Sequence, residues 1–194
     1  MEHVMTHAYF LDTAPYEPII PSDAWIMGHG CPDFSAPWHP DQQGLFIEDD
    51  QQMFWIKEGT WRHEHIKNLP LLVEWQQQPV ALMAESHLHF PEISRYLAQH
   101  RAMLFIVVGE APRSDYRSGL WREVQQNQVM ALTWWPHPGL LVPCEMDPTT
   151  TGFIPAVSYH VQWEWSQVIA IRERYPLWQR RRPDLYRSHW WITP

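Results

Sequence analysis

Eighteen prolines against eight glycines set the first limit on what this 194-residue chain can fold into. Proline fixes φ, removes a backbone donor and stops helices, and it is kept out of central strands. The composition therefore predicts short elements, stiff connections and few long helices. Apolar residues make up 45% of the chain, enough to build a core, so the chain is not disordered by composition. The longest apolar run, from Ala102 to Gly109, falls short of the ~18 residues a membrane span needs and fits one buried strand.

The pattern along the chain predicts strands at Val4–Leu11, Gly44–Ile47, Met53–Ile56, Leu104–Val108, Val129–Trp135 and Val157–Trp163. In the last of these, Val157, Tyr159, Val161 and Trp163 alternate with Ser158, His160 and Gln162, the mark of a half-exposed strand. Leu69–Trp75 reads as a strand or a short helix, and Val80–Ala84 as a further short apolar run. Residues 12–43 read as loop, with one capped turn holding Trp25, Ile26 and Met27. Helices are predicted at Pro91–Met103, Asp115–Gln126 and Glu164–Tyr175; Pro91 suits a first helical position, and Ile93, Tyr96, Leu97 and His100 share one face. The result is an α/β or α+β architecture, a mixed sheet of short strands flanked by a few helices with Pro-rich loops. Residues 1–194 read as a single domain, with 136–155 the candidate lobe boundary.

Formal net charge is −8, unevenly spread. Residues 172–194 carry six arginines against Glu173 and Asp184, a net +4, which leaves −12 for the rest. An acidic body argues against general nucleic-acid binding. The Arg-rich tail keeps open a nucleic-acid-associated subunit of a larger complex. Two cysteines, Cys31 and Cys144, are too few for a disulfide scaffold. With an N-terminus, Met1-Glu2-His3-Val4, that lacks signal-peptide character, they make a reduced, cytoplasmic protein the expectation.

Thirteen tryptophans are more than a domain of this size needs to close its core. Adjacent residues on a strand point to opposite faces, so Trp134-Trp135 and Trp190-Trp191 cannot both enter one core. This predicts a partner-binding surface of Trp134, Trp135, Trp163, Trp165, Trp178, Trp190 and Trp191, with Arg180, Arg181 and Arg182 supplying charge toward an acidic protein partner. No cofactor or membrane partner is called for, and a protein partner is favoured over nucleic acid.

Chemistry-bearing motifs are sparse. His63–His65 and His87–His89 have the HxH spacing that, on a strand, puts two imidazoles on one face toward a cation. That makes a metal-dependent enzyme the alternative to a binding protein. His29, Cys31, Asp33 and His39 form a looser set, to which His137 or Cys144 could add a ligand. No HExxH, CxxC, GxSxG, GxGxxG or Walker pattern occurs. Gly30-Cys31-Pro32 is a lone loop thiol, and Glu48, Asp49 and Asp50 read as a solvated turn. With no convergent catalytic set, the reading favours a binding protein over an enzyme.

Segments of the first half are similar to a known family. Ala8-Tyr9-Phe10-Leu11-Asp12, Gly44-Leu45-Phe46, Leu71-Leu72-Val73-Glu74-Trp75, and Ala84-Glu85-Ser86 followed by Pro91–Leu104 come in the order seen in type VI secretion effector-adaptor chaperones. The resemblance spans about residues 8–108. An Arg-Phe-Tyr-Asp-Pro-Arg-like stretch typical of the family is absent, Asp115-Tyr116-Arg117 standing nearest to it. The resemblance implies a non-enzymatic cytoplasmic adaptor or chaperone that loads a secretion effector onto the spike, in keeping with a Trp/Arg-rich docking surface.

Overall fold

The computed structural model describes residues 5–11, 20, 24–29, 43–48, 51–57, 60–108, 116–133, 138–143, 153–156 and 160–177. Among them, twelve strands form two six-stranded sheets. The first sheet contains β1 (Met5–Phe10), β2 (Trp25–His29), β3 (Gln43–Ile47), β4 (Gln52–Lys57), β5 (Thr60–His65) and β12 (His160–Glu164), in the order β12-β1-β2-β3-β4-β5. The second contains β6 (Leu71–Trp75), β7 (Gln78–Ala84), β8 (Leu104–Val108), β9 (Met130–Thr133), β10 (Gly139–Leu141) and β11 (Phe153–Pro155), in the order β11-β10-β9-β8-β7-β6. The helices are α1 (Pro91–Gln99), α2 (Tyr116–Asn127) and α3 (Ser166–Arg174). The expected mixed sheets of short strands with a few helices are what the chain forms.

Each sheet has a parallel centre and antiparallel margins. In the first, β1, β2 and β3 run parallel, while β4, β5 and β12 join antiparallel. In the second, β7, β8 and β9 run parallel. Helices α1 and α2 make the two crossovers between those strands, the usual way to connect parallel neighbours. A parallel strand covered on both sides needs apolar side chains on both faces. That is why Val80–Ala84 and Leu104–Val108 are unbroken apolar runs, and why each of their residues is buried.

The two sheets face one another across a large core. Ala8, Phe10, Trp25, Met27, Leu45, Met53, Trp55 and Trp163 from the first meet Val73, Trp75, Val80, Leu82, Leu104, Ile106 and Leu132 from the second. The second sheet's other face packs Ala81, Met83, Phe105 and Val107 against Leu97, Leu120 and Val124 of α1 and α2. Between those helices a buried polar knot ties the turns together. Glu123 accepts hydrogen bonds from Ser94 and, at 3.0 Å, from Asn127 Nδ2.

One sequence expectation is revised, and one left between two readings is decided. Trp25, Ile26 and Met27 lie on strand β2 rather than on a capped turn, because β2 is a central strand buried on both faces and so shows no alternation. Leu71–Trp75 is a strand, joined to β7 through Gln76 and Gln77 at φ 49° and 62°. This left-handed pair matches the twist of a hairpin without the usual glycine. Residues 136–155 include β10 and β11, with Leu140 and Leu141 buried in the second sheet.

Candidate functional site

In open α/β sheets ligands gather outside the carboxyl ends of the parallel strands. On the first sheet that edge lies beyond β1, β2 and β3. Glu48 is the first residue past β3, and its backbone N–H donates to Gln52 O at 3.0 Å, which fixes the connection to β4. Two strands across, β5 presents His63. The register pairs Phe46 with Phe54 and Phe54 with His63, so all three lie on the face turned away from the core. His63 Nε2 stands 3.3 Å from Glu48 Oε2, with side chains 51% and 41% exposed, so both reach solvent. The His63 ring stacks on Phe54 at 4.7 Å between centroids. Phe46 meets Trp61 edge-on at 5.6 Å.

This arrangement has a defined chemistry. A neutral imidazole donating from Nε2 to a carboxylate keeps its lone pair on Nδ1, the tautomer assigned from the contact. Glu48 then orients the ring and faces the charge it acquires on taking a proton, as the carboxylate of a carboxylate–imidazole–nucleophile set does. The stack on Phe54 holds the ring plane.

The carboxyl edge of the second sheet carries Glu85, Ser86 and His87 in a 3-10 turn after β7. Burial pushes the His87 pKa down, favouring the neutral ring. Its Nδ1 accepts from Ala84 N–H at 3.3 Å, so the ring proton sits on Nε2.

The metal expectation finds no support in these positions. His63 and His65 do share a face of β5. His65, however, uses Nδ1 to accept from Lys67 N–H at 3.2 Å, and His63 is turned to Glu48. His87 and His89 are on a 3-10 turn, not a strand, and successive positions there point roughly 120° apart. Among the described residues no three His, Cys, Asp or Glu side chains converge as ligands. Cys31, Asp33, His39, His137 and Cys144, and the side chain of His29, lie outside the described residues.

Two residues of the expected docking surface are corrected as well. Trp163 and Trp165 are 1% and 7% exposed and belong to the core between the sheets. Their rings meet each other at 5.7 Å and Trp75 at 5.6 and 5.8 Å, all edge-on. Trp25 joins at 5.1 Å from Trp75. Trp134, Trp135, Trp178, Trp190, Trp191, Arg180, Arg181 and Arg182 lie outside the described residues.

Sequence reasoning missed the Glu48–His63 pair. In the sequence, Glu48 stands among acidic neighbours as part of a turn, and His63 stands out only by its spacing to His65. The usable signal was the position of Glu48 directly after an apolar strand, at the end where a parallel sheet places its ligands.

No family model and no curated protein matches the chain. Solved structures do match in fold. The Helicobacter pylori G27 carbon-nitrogen hydrolase aligns with a TM-score of 0.59 at 12% identity over 96% of this chain and 98% of that one. Saccharomyces cerevisiae Nit3, a member of branch 10 of the nitrilase superfamily, aligns at 0.59 and 10% identity, over 92% and 97%. The C. elegans NitFhit protein aligns at 0.53 and 15% identity, this chain spanning 42% of its length. These likenesses overturn the resemblance to type VI secretion adaptor chaperones, and with it the adaptor reading: along nearly its whole length the chain has the fold of carbon-nitrogen hydrolases, and the indoles placed at a docking surface are, where described, structural. At 10–15% identity the shared property is the fold.

Proposed function

We propose that this chain is a hydrolase of amide-type carbon–nitrogen bonds, with Glu48 and His63 as its acid–base pair. The observation that carries the reading is the Glu48–His63 contact at the carboxyl edge of β1–β3. The fold supports it, since solved structures described as carbon-nitrogen hydrolases share it. In this scheme His63 Nδ1 removes a proton from the attacking group as that group adds to the carbonyl carbon. The tetrahedral adduct then collapses, the C–N bond breaks, and His63 returns the proton to the leaving nitrogen. With water as the attacking group the products are a carboxylic acid and ammonia or an amine. With a thiol, a thioester forms first and water completes the cycle.

The test is ammonia release by the purified protein from a panel of short aliphatic and aromatic primary amides. Turnover above buffer that is lost in Glu48→Gln and His63→Ala is the expected result. Cys31→Ala and Cys144→Ala separate attack by a thiol from attack by water. A folded wild-type protein that releases no ammonia from any amide overturns the reading.

A further inference from the structure

The seam between β1 and β12 joins segments far apart in the chain, and its outer face holds two histidines in direct contact. His7 Nδ1 and His160 Nε2 are 2.8 Å apart across 153 residues of sequence. Their rings stack with centroids 5.1 Å apart and planes 18° apart, and Tyr9 covers His160 at 4.6 Å. The register explains the meeting: Tyr9 stands opposite His160 and His7 opposite Gln162, so the two imidazoles are diagonal neighbours on one face. Behind them, Ala8, Phe10, Val161 and Trp163 point into the core.

A hydrogen bond between two imidazole nitrogens needs one proton. With one in the gap, a ring donates and the other accepts, and the pair can carry a single positive charge on the donor; once both rings are imidazolium, every ring nitrogen is a donor, none accepts, and two positive charges touch. We propose that the His7–His160 contact is an acid-released latch on the β1–β12 seam, closed while at least one ring is neutral and opened when both are protonated.

Among the described residues, the neighbours on this face of β1, β2 and β12 other than Glu164 carry no negative charge. Burial pushes the Tyr9 hydroxyl up, so it stays uncharged. Met5 and Gln162 are uncharged neighbours on the same two strands, and Ile26 and Gly28 are what β2 presents on this face. Glu164 is the nearest carboxylate along β12; it stands opposite Met5, diagonal to His7, and accepts from Ser166 Oγ at 2.9 Å. Consistent with this, burial and then the charge of His7 lower the His160 pKa. A lowered histidine pKa means the unfolded chain binds the proton more readily. The stability held in the contact is therefore whole above about pH 6.5 and is withdrawn as pH falls through the lower folded value. β12 leads directly into Trp165 and α3, so an opened seam loosens the C-terminal part of the described fold.

Amide hydrogen exchange, corrected for intrinsic rates, reads the latch. Protection of the β1 and β12 amides should fall about tenfold or more between about pH 7.5 and about pH 5, while that of β7 and β8 holds. In His7→Gln the acid-dependent fall should vanish. An equal fall in His7→Gln, or none in the wild type, overturns the proposal. If that variant does not fold, NMR titration of the wild-type imidazoles decides. Two coupled steps, one below the ordinary histidine range, support the latch, and two independent ordinary titrations refute it.

Discussion

Single residues show how heavily this fold leans on its aromatics. Trp75 sits at the centre of the indole cluster and touches Trp25, Trp163 and Trp165. Trp75→Ala should destabilise the protein by about 3–5 kcal/mol in urea unfolding, the usual cost of emptying a large core site. Gly44 is constrained differently. A Cβ there would lie 2.8 Å from the Ile26 carbonyl oxygen of the neighbouring strand, an atom that cannot move aside. Gly44→Ala should lower stability by about 1–3 kcal/mol, visible as a drop in Tm, as overpacked sites do. Gln76 earns its left-handed conformation through its side chain: its Oε1 accepts from Thr6 Oγ1 at 2.9 Å and from Trp165 Nε1 at 3.2 Å. No sequence pattern announces such a position, because both partners are distant in the chain.

At the scale of elements, α3 is pinned by one cation. Arg172 donates to Gln128 O at 2.9 Å and to Ala102 O at 2.8 Å, and also reaches Met103 Sδ, bridging the chain just before β8 and just after α2. Burial lowers its pKa to about 10, which still leaves it charged at neutral pH. Arg172→Met should cost about 1–3 kcal/mol by stranding buried carbonyls, and exchange should quicken in α3 before it does in β8. The Ser94–Glu123–Asn127 knot does the same for α1 and α2. Elements were legible where periodicity was undisturbed. Pro91 marked the start of α1, Leu104–Val108 was read to the residue, and the alternation around His160 placed Val161 and Trp163 inward. They were illegible where burial on both faces erased the alternation, as in β2, or where prolines crowded short strands, as in β10 and β11.

For the whole molecule, the decisive fact is the pair of facing sheets. Thirteen tryptophans exceed what a domain of this size needs to close its core, which is why the indoles suggest a docking surface. Two sheets enclose Trp25, Trp55, Trp75, Trp163 and Trp165. Composition reports how much aromatic volume there is, but not the topology that covers it. The candidate site was hidden for the same reason: Glu48 and His63 meet only once β4 lies between β3 and β5. Across the molecule, acid should act through His87 and His160, both lowered by burial. Their neutral forms contribute above about pH 6.5, so the urea midpoint should decline as pH falls below that value. The measurement that bears most directly on the proposed chemistry is kcat/KM for a hydrolysed amide in wild type and His63→Ala. A fall of about 10²–10⁴-fold, with the fold intact by circular dichroism, is the expected result for loss of the acid–base group. An unchanged kcat/KM would contradict it.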